Sequence, residues 1–185
     1  GAIGAGCVEL GRETRPTDLA EAQAVAAIGQ RRLMSQWHQA FSRQGVKVAQ
    51  LLLTRSDFDD RTRFLNIRNC LAHLHDLGCL PILNENDAVA VDEIRFGDND
   101  LLAAVTCNAL RADALIVLSV VDGLLDDAGE RVDLVEHVGD HLRLAKSEKS
   151  GWGSGGMLSK LEAARRVTAA GEVAVIANGR ERNVL

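Results

Sequence analysis

The chain has 185 residues, 46% of them apolar and 3% aromatic, with no tyrosine and a formal net charge of −5. That is enough apolar material for one sizeable core built from Leu, Ile, Val and Ala, as parallel α/β sheets use. The acidic balance and the lack of any Lys/Arg-rich run give no phosphate-tracking surface, so no nucleic acid partner is expected. No stretch nears the ~20 apolar residues that span a bilayer as a helix, so no membrane partner is expected.

The first residue is Gly1, not Met, within the run Gly1-Ala2-Ile3-Gly4-Ala5-Gly6. Both ends read as cuts through a longer protein, and no signal peptide is recognisable. Gly1 to Leu10 reads as a glycine-rich turn entering a short helix that Pro16 breaks. Asp18 is the predicted N-cap of a long helix, with Glu21 completing a capping-box-like start. That helix runs to about Ser42. Met34, Trp37 and Phe41 fall on one of its faces, as core or oligomer contact. Val46 to Thr54 reads as a buried strand, alternating and then continuously apolar. Asp60 to Leu77 is a predicted helix with Gly78 as its stop. Cys79 to Leu83 is a short buried strand, followed by a polar loop, Asn84-Glu85-Asn86-Asp87.

Gly97-Asp98-Asn99-Asp100 opens the next predicted helix, to about Arg111, and Ala114 to Val121 is the next strand, turned by Asp122-Gly123. Asp126 to Lys149 is less regular, with a small hairpin expected around Asp127-Ala128-Gly129. A second glycine-rich loop, Gly151 to Gly156, leads into a helix from Met157 to about Ala170. Gly171 ends that helix, and Val173 to Ala177 is the last strand. Helices alternating with strands predict a mainly parallel sheet covered on both faces, in one domain.

In an open α/β sheet, ligands sit beyond the carboxyl ends of the strands, and the unusual polar segments fall there. The run Gly153 to Lys160 combines glycines, which let backbone N–H groups approach a phosphate chain, with a helix N-terminus and a lysine one turn in. It does not fit the Walker P-loop spacing. Its bland alternative is a surface turn followed by an ordinary helical lysine. Gly97 to Asp100 places more polar groups at a helix start than capping requires. In function they would grip an α-amino group, with one carboxylate organising the catalytic lysine. Asn84 to Asp87 is a weaker signal of the same kind.

His73 and His75 point to different faces of a helix, and His137 and His141 have no acid or cysteine pattern to complete a metal site. Cys7, Cys70, Cys79 and Cys107 form no C-x-x-C pair and read as four buried thiols of a reducing cytosol.

Together, Gly1-Ala2-Ile3, Leu53-Thr54-Arg55-Ser56-Asp57, Asn84 to Val89, Gly97 to Asp100 and Gly153 to Met157 resemble, in order and spacing, the glutamate 5-kinases of the amino acid kinase family. The resemblance runs over nearly the whole chain. It implies a three-layer α/β/α sandwich around a mainly parallel sheet, with ATP over the C-terminal half and L-glutamate over the N-terminal half. By position, Asp87 and Asn99 would bind glutamate, with Asn84, Asn86, Asp98, Gly1 and Ala2 close by. Asp100 would orient catalytic lysines. Ser119, Val120 and the run Ser154, Gly155, Gly156, Met157, Leu158, Ser159 and Lys160 would hold ATP, and Lys160 would stabilise the transferring phosphoryl group. Mg²⁺ would accompany the nucleotide. The implied product is L-glutamyl 5-phosphate, the first intermediate toward proline. Proline is the implied feedback inhibitor, a dimer or tetramer the implied assembly, and the cytoplasm the implied location.

The chain departs from this pattern in places. The Lys-x-Gly-x-Ser strand with which such kinases start is absent, as is the serine before Gly-Ala-Ile. Val120 stands where an aspartate is usual. The 185-residue chain alone is therefore expected to be nearly inactive. Related readings are the kinase half of a bifunctional pyrroline-5-carboxylate synthase, another amino acid kinase relative, or a non-catalytic amino-acid sensor.

Overall fold

The computed structural model describes residues 1–90, 99–147 and 156–185, which fall into two units, Gly1–Phe96 and Gly97–Leu185. Gly97, Asp98 and Gly151 to Gly155, singled out above, lie outside the described residues.

In the first unit the glycine-rich opening is helical almost from its first residue, as α1 (Ala2–Glu9). It lies against α2 (Leu19–Ser42). The reason is close approach rather than propensity. A Cβ on Gly29 would stand 1.9 Å from the Ala2 carbonyl oxygen, and one on Gly6 would stand 2.0 Å from that of Val25. Only glycine lets the two backbones pack this tightly. The seam is completed by buried Ala2, Cys7, Ala22, Val25 and Ala26. Asp18 caps α2 as expected, its carboxylate accepting from the Glu21 N–H at 2.9 Å, while the Glu21 side chain pairs with Arg12 at 2.6 Å.

The Met34–Trp37–Phe41 stripe is not core of this chain. The buried residues of α2 lie in its first half, and Trp37, stacked on Phe41 with ring centroids 5.8 Å apart, is 40% exposed.

Strand β1 (Lys47–Leu53) pairs in parallel with β2 (Cys79–Glu85), from Lys47↔Cys79 to Leu53↔Glu85. The crossover holds a short helix not foreseen, α3 (Arg55–Asp59), and then α4 (Arg61–Asp76). Gly78 turns the chain at φ +65°, which a left-handed stop requires. The apolar run of β1 is buried only at Leu53, and among the described residues its sheet has two strands, each with one unpaired edge. Strand β2 runs two residues further than expected, so Asn84 and Glu85 are strand residues and not loop.

The second unit repeats the parallel pattern. Helix α5 (Asn99–Leu110) leads to β3 (Ala114–Ser119), which pairs with β4 (Val173–Asn178) from Ala114↔Val173 to Ser119↔Asn178. The crossover carries the expected hairpin. Leu125 bridges Arg131 in antiparallel fashion, with Gly129 at φ +84°. Then follow α6 (Val138–His141), a 3₁₀ turn (Leu144–Ser147) and α7 (Met157–Thr168). Leu115 and Val117 point into a cluster with Ala104 and Cys107 of α5 and Ala163 and Val167 of α7. The α/β class with parallel strands is as the sequence implied.

All four cysteines are free thiols, but only Cys7 and Cys107 are buried. Cys70 is exposed because α4 buries only Ile67 and Leu71, and Cys70 stands outside that narrow stripe.

Candidate active site

In the second unit, the small residues of α5 and α7 bring two helix starts together. Ala104 and Ala163 are fully buried at the contact, and Asn108 Nδ2 donates to the Arg166 carbonyl at 3.2 Å. On α5, Asp100 lies one turn before Ala104. On α7, Lys160 lies one turn before Ala163. The geometry that packs the alanines therefore sets the ammonium against the carboxylate. Lys160 Nζ donates to Asp100 Oδ2 at 2.8 Å, with the two side chains 12% and 17% exposed. An ion pair this sheltered is weakly screened by salt, and removing one partner strands the other's charge. Sixty residues apart in sequence, the two groups form one centre.

The other described members of the predicted phosphate run, Gly156 to Ser159, form the N-cap and first turn of the same helix. Gly156 is the N-cap of α7 and makes no side-chain cap bond, and Met157, the first helical residue, is buried. Ser159 Oγ stands 2.9 Å from Asp100 Oδ2 and 2.9 Å from the Gly156 carbonyl oxygen. Leu158 is largely exposed. Asn99 is the first residue of α5.

Ser119 ends β3, and its carbonyl accepts from the Gly179 N–H at 2.9 Å. Val120 follows, 65% exposed; an apolar side chain there offers a ligand no hydrogen bond. At the same end of the sheet Asn178 Nδ2 donates to Asp122 Oδ1 at 2.7 Å. These two residues, with Arg131 and β4, line a cavity of about 430 Å³. Asp98, Ser154 and Gly155 lie outside the described residues.

The first unit assembles the other group. Asn84 is 4% and Glu85 8% exposed at the carboxyl end of β2. A buried amide needs partners, and Asn84 Nδ2 donates to Gln30 Oε1 on α2 at 2.9 Å. Seven residues earlier on that helix, Gln23 Nε2 donates to the Ala90 carbonyl at 3.2 Å. Helix α2 thus holds both ends of the segment 84–90. Between them Asn86 donates its N–H to the Leu53 carbonyl at 2.8 Å and accepts from Val89 and Ala90, turning the chain at Asp87. Ala2 joins the same neighbourhood through Gly29, the residue before Gln30, and Gly1 is the N-cap of α1.

Sequence reasoning missed Gln30. Its Nε2 is buried without a hydrogen-bond partner among the described residues, and a lone glutamine inside a long helix carries no local signal. It also left Thr54 and Asp57 without roles. Asp57 Oδ2 accepts from the Thr54 N–H at 2.6 Å and from its hydroxyl at 2.8 Å, and Asp57 Oδ1 accepts from Arg63 at 3.0 Å. Burial alone raises the pKa of Asp57, but these donors outweigh it and hold the carboxylate below its ordinary range. The spacing Thr-x-x-Asp is the available signal for such a cap. With Asn86, Val89 and Ala90 this corner lines a cavity of about 380 Å³.

Among the described residues no group of His, Cys, Asp and Glu gathers as a metal site, and no helix is long and apolar enough to cross a membrane.

The profile of the amino acid kinase family matches residues 1–178. The chain is similar to the glutamate 5-kinase of Gloeobacter violaceus, 46% identical over 185 residues, covering 97% of this chain and 50% of the relative. It is similar to that of Prochlorococcus marinus, 45% identical over 193 residues, covering 100% of this chain and 54% of the relative. It is similar to that of Kosmotoga olearia, 47% identical over 164 residues, covering 89% of this chain and 46% of the relative. The chain spans about half the length of the curated relatives it matches.

Proposed function

The chain belongs to the amino acid kinase family, and on that premise we propose that it is part of the kinase domain of an ATP-dependent glutamate 5-kinase. In the proposed reaction an oxygen of the glutamate side-chain carboxylate attacks the γ-phosphorus of ATP. The bond from that phosphorus to the bridging β-oxygen breaks and ADP leaves. The product is L-glutamyl 5-phosphate, an acyl phosphate on the way to proline.

The observation that carries this reading is the sheltered pair Lys160–Asp100 at the start of α7. Phosphoryl transfer between two anions needs positioning and preorganised positive charge more than covalent help. An ammonium has three donors; Asp100 takes one and fixes its direction, and the others suit the equatorial oxygens of the moving phosphoryl group. Helix α7 opens without a side-chain cap, the condition under which first-turn N–H groups take an anion. ATP would therefore lie on the run Ser154 to Lys160, with Ser119 and Val120 at the end of β3. Asp100 is already engaged by Lys160 and Ser159, which fits Mg²⁺ arriving with the nucleotide rather than on a resident carboxylate site. Bound there, Mg²⁺ adds positive charge to the phosphate oxygens.

Glutamate would be held by Asp87 and Asn99, with Asn84, Asn86, Asp98, Gly1 and Ala2 nearby. The acids suit an ammonium and so distinguish an amino acid from a plain dicarboxylate. A cytoplasmic homo-oligomer, dimer or tetramer, restrained by proline, completes the proposal.

The test is hydroxylamine trapping. The full-length protein, given ATP, Mg²⁺, L-glutamate and hydroxylamine, is expected to release ADP and form the γ-hydroxamate in equal amounts. ADP formation that does not depend on glutamate would overturn the assignment.

A further inference from the structure

We propose that Ser159, although it lies within the run over which ATP would sit, is a positioning residue for Lys160 and not itself a ligand of the nucleotide. The inference rests on the proposed function only for its kinetic readout. Its basis is a count of donors. Ser159 has one backbone N–H and one hydroxyl proton. The N–H donates to the Gly156 carbonyl at 3.2 Å. The hydroxyl faces two acceptors at 2.9 Å, that same carbonyl and Asp100 Oδ2. A hydrogen bond to a carboxylate is roughly twice as strong as one to a neutral acceptor, so the proton goes to Asp100. Both donors are then spent inside the protein. Toward a phosphate the hydroxyl offers only lone pairs, which repel it.

What the hydroxyl does instead follows from the oxygen it meets. Asp100 Oδ2 accepts from Ser159 Oγ and from Lys160 Nζ, at 2.9 and 2.8 Å. Two donors from consecutive residues of α7 thus converge on one carboxylate oxygen of α5. The χ2 angle of an aspartate is broad, so a carboxylate oxygen needs donors to place it. A second bond from a short, stiff side chain on the same helical turn fixes where the oxygen stands. The ammonium follows the oxygen. Through Gly156, the same serine ties the end of the glycine-rich run to this carboxylate.

The experiment compares Ser159→Ala, Ser159→Cys and Ser159→Thr in the full-length protein, with thermal unfolding recorded for each. The cysteine variant is near-isosteric but a weak donor, and it replaces the alanine variant if that one does not fold. The alanine and cysteine variants are expected to lower kcat about ten-fold, the loss of one bond to a charged group, with KM for ATP within about two-fold. Threonine, which keeps the hydroxyl, is expected to restore kcat. In an Asp100→Asn background the alanine change is expected to cost much less.

A raised KM for ATP at unchanged kcat would make Ser159 a nucleotide ligand and overturn the proposal. So would parent kinetics in the alanine variant, failure of threonine to rescue, or full additivity with Asp100→Asn. A second readout does not need turnover: the rate at which an amine-acylating reagent labels Lys160, followed by mass spectrometry. It is expected to rise in the alanine and cysteine variants and return to the parent rate with threonine; an unchanged rate rejects the proposal. If the parent makes no acyl phosphate, the functional reading fails by itself, and the labelling rate still decides the role of Ser159.

Discussion

Replacing Gly29 by alanine adds one methyl group at the tightest point of the α1–α2 seam. Its carbon would stand 1.9 Å from the Ala2 carbonyl oxygen and 2.3 Å from the Gly6 nitrogen. Ordinary contact needs about 3.5 Å, so α1 must retreat by about 1.5 Å. Both obstacles are backbone atoms of a helix and cannot rotate away. Overpacking of this kind costs about 1–3 kcal/mol. At about 2–4 °C per kcal/mol for a chain of this size, the expected loss in melting temperature is roughly 2–12 °C.

Gly4 on α1 is the control. A Cβ there meets nothing within 4 Å, so Gly4→Ala only removes unfolded-state freedom and is expected to stabilise by about 0.5–1 kcal/mol. The assay is thermal unfolding by circular dichroism, with glutamate KM measured alongside, because Gln30 follows Gly29 directly. Opposite signs for the two substitutions support the reasoning. A neutral or stabilising Gly29→Ala would refute the close helix packing.

Asp57 makes stability depend on acid. Its folded pKa lies below the ordinary 3.8, so its contribution is complete above that value and is lost as the pH falls through the lower folded value. Asp57→Asn should therefore destabilise at pH 7 and progressively less as the pH is taken below 3.8, as denaturant midpoints along that series will show. Cysteine labelling should start at exposed Cys70 and end at Cys107, whose thiol is pushed up by burial and by the Glu172 carboxylate; Cys107 modified first would contradict the packing of α5. Gln30→Leu removes the acceptor for the buried amide of Asn84 and should raise glutamate KM by roughly ten-fold, the worth of one hydrogen bond, with kcat little changed. Unchanged KM would detach Gln30 from the substrate side.

The parts of this architecture legible in the sequence are those with local causes. Asp18 caps α2 because its carboxylate reaches an N–H three residues on. Gly78 and Gly171 stop helices because both adopt positive φ. Asp127 to Gly129 turn a hairpin by ordinary turn chemistry. Asp100 and Lys160 were legible as chemistry, and their meeting needed only that the helices bearing them pack together. What escaped had distant causes. Asn84 and Glu85 look like loop because they are polar, yet they continue β2 because Leu52 and Leu53 stand opposite in the ladder and Gln30 reaches the Asn84 amide. The glycines of α1 look like a turn until α2 is laid against them. Cys70 and Trp37 look apolar enough for burial, but the buried stripes of their helices run elsewhere.

The proposed chemistry depends most directly on the ammonium that Asp100 holds at 2.8 Å. The deciding measurement is steady-state hydroxamate formation by the full-length protein with Lys160→Met, its folded state verified by circular dichroism. We expect kcat to fall by about 10²–10³, the usual loss of one preorganised charge, while KM for glutamate changes little. Turnover equal to the parent's would remove Lys160 from the reaction and, with it, the reading of this pair as a catalytic centre.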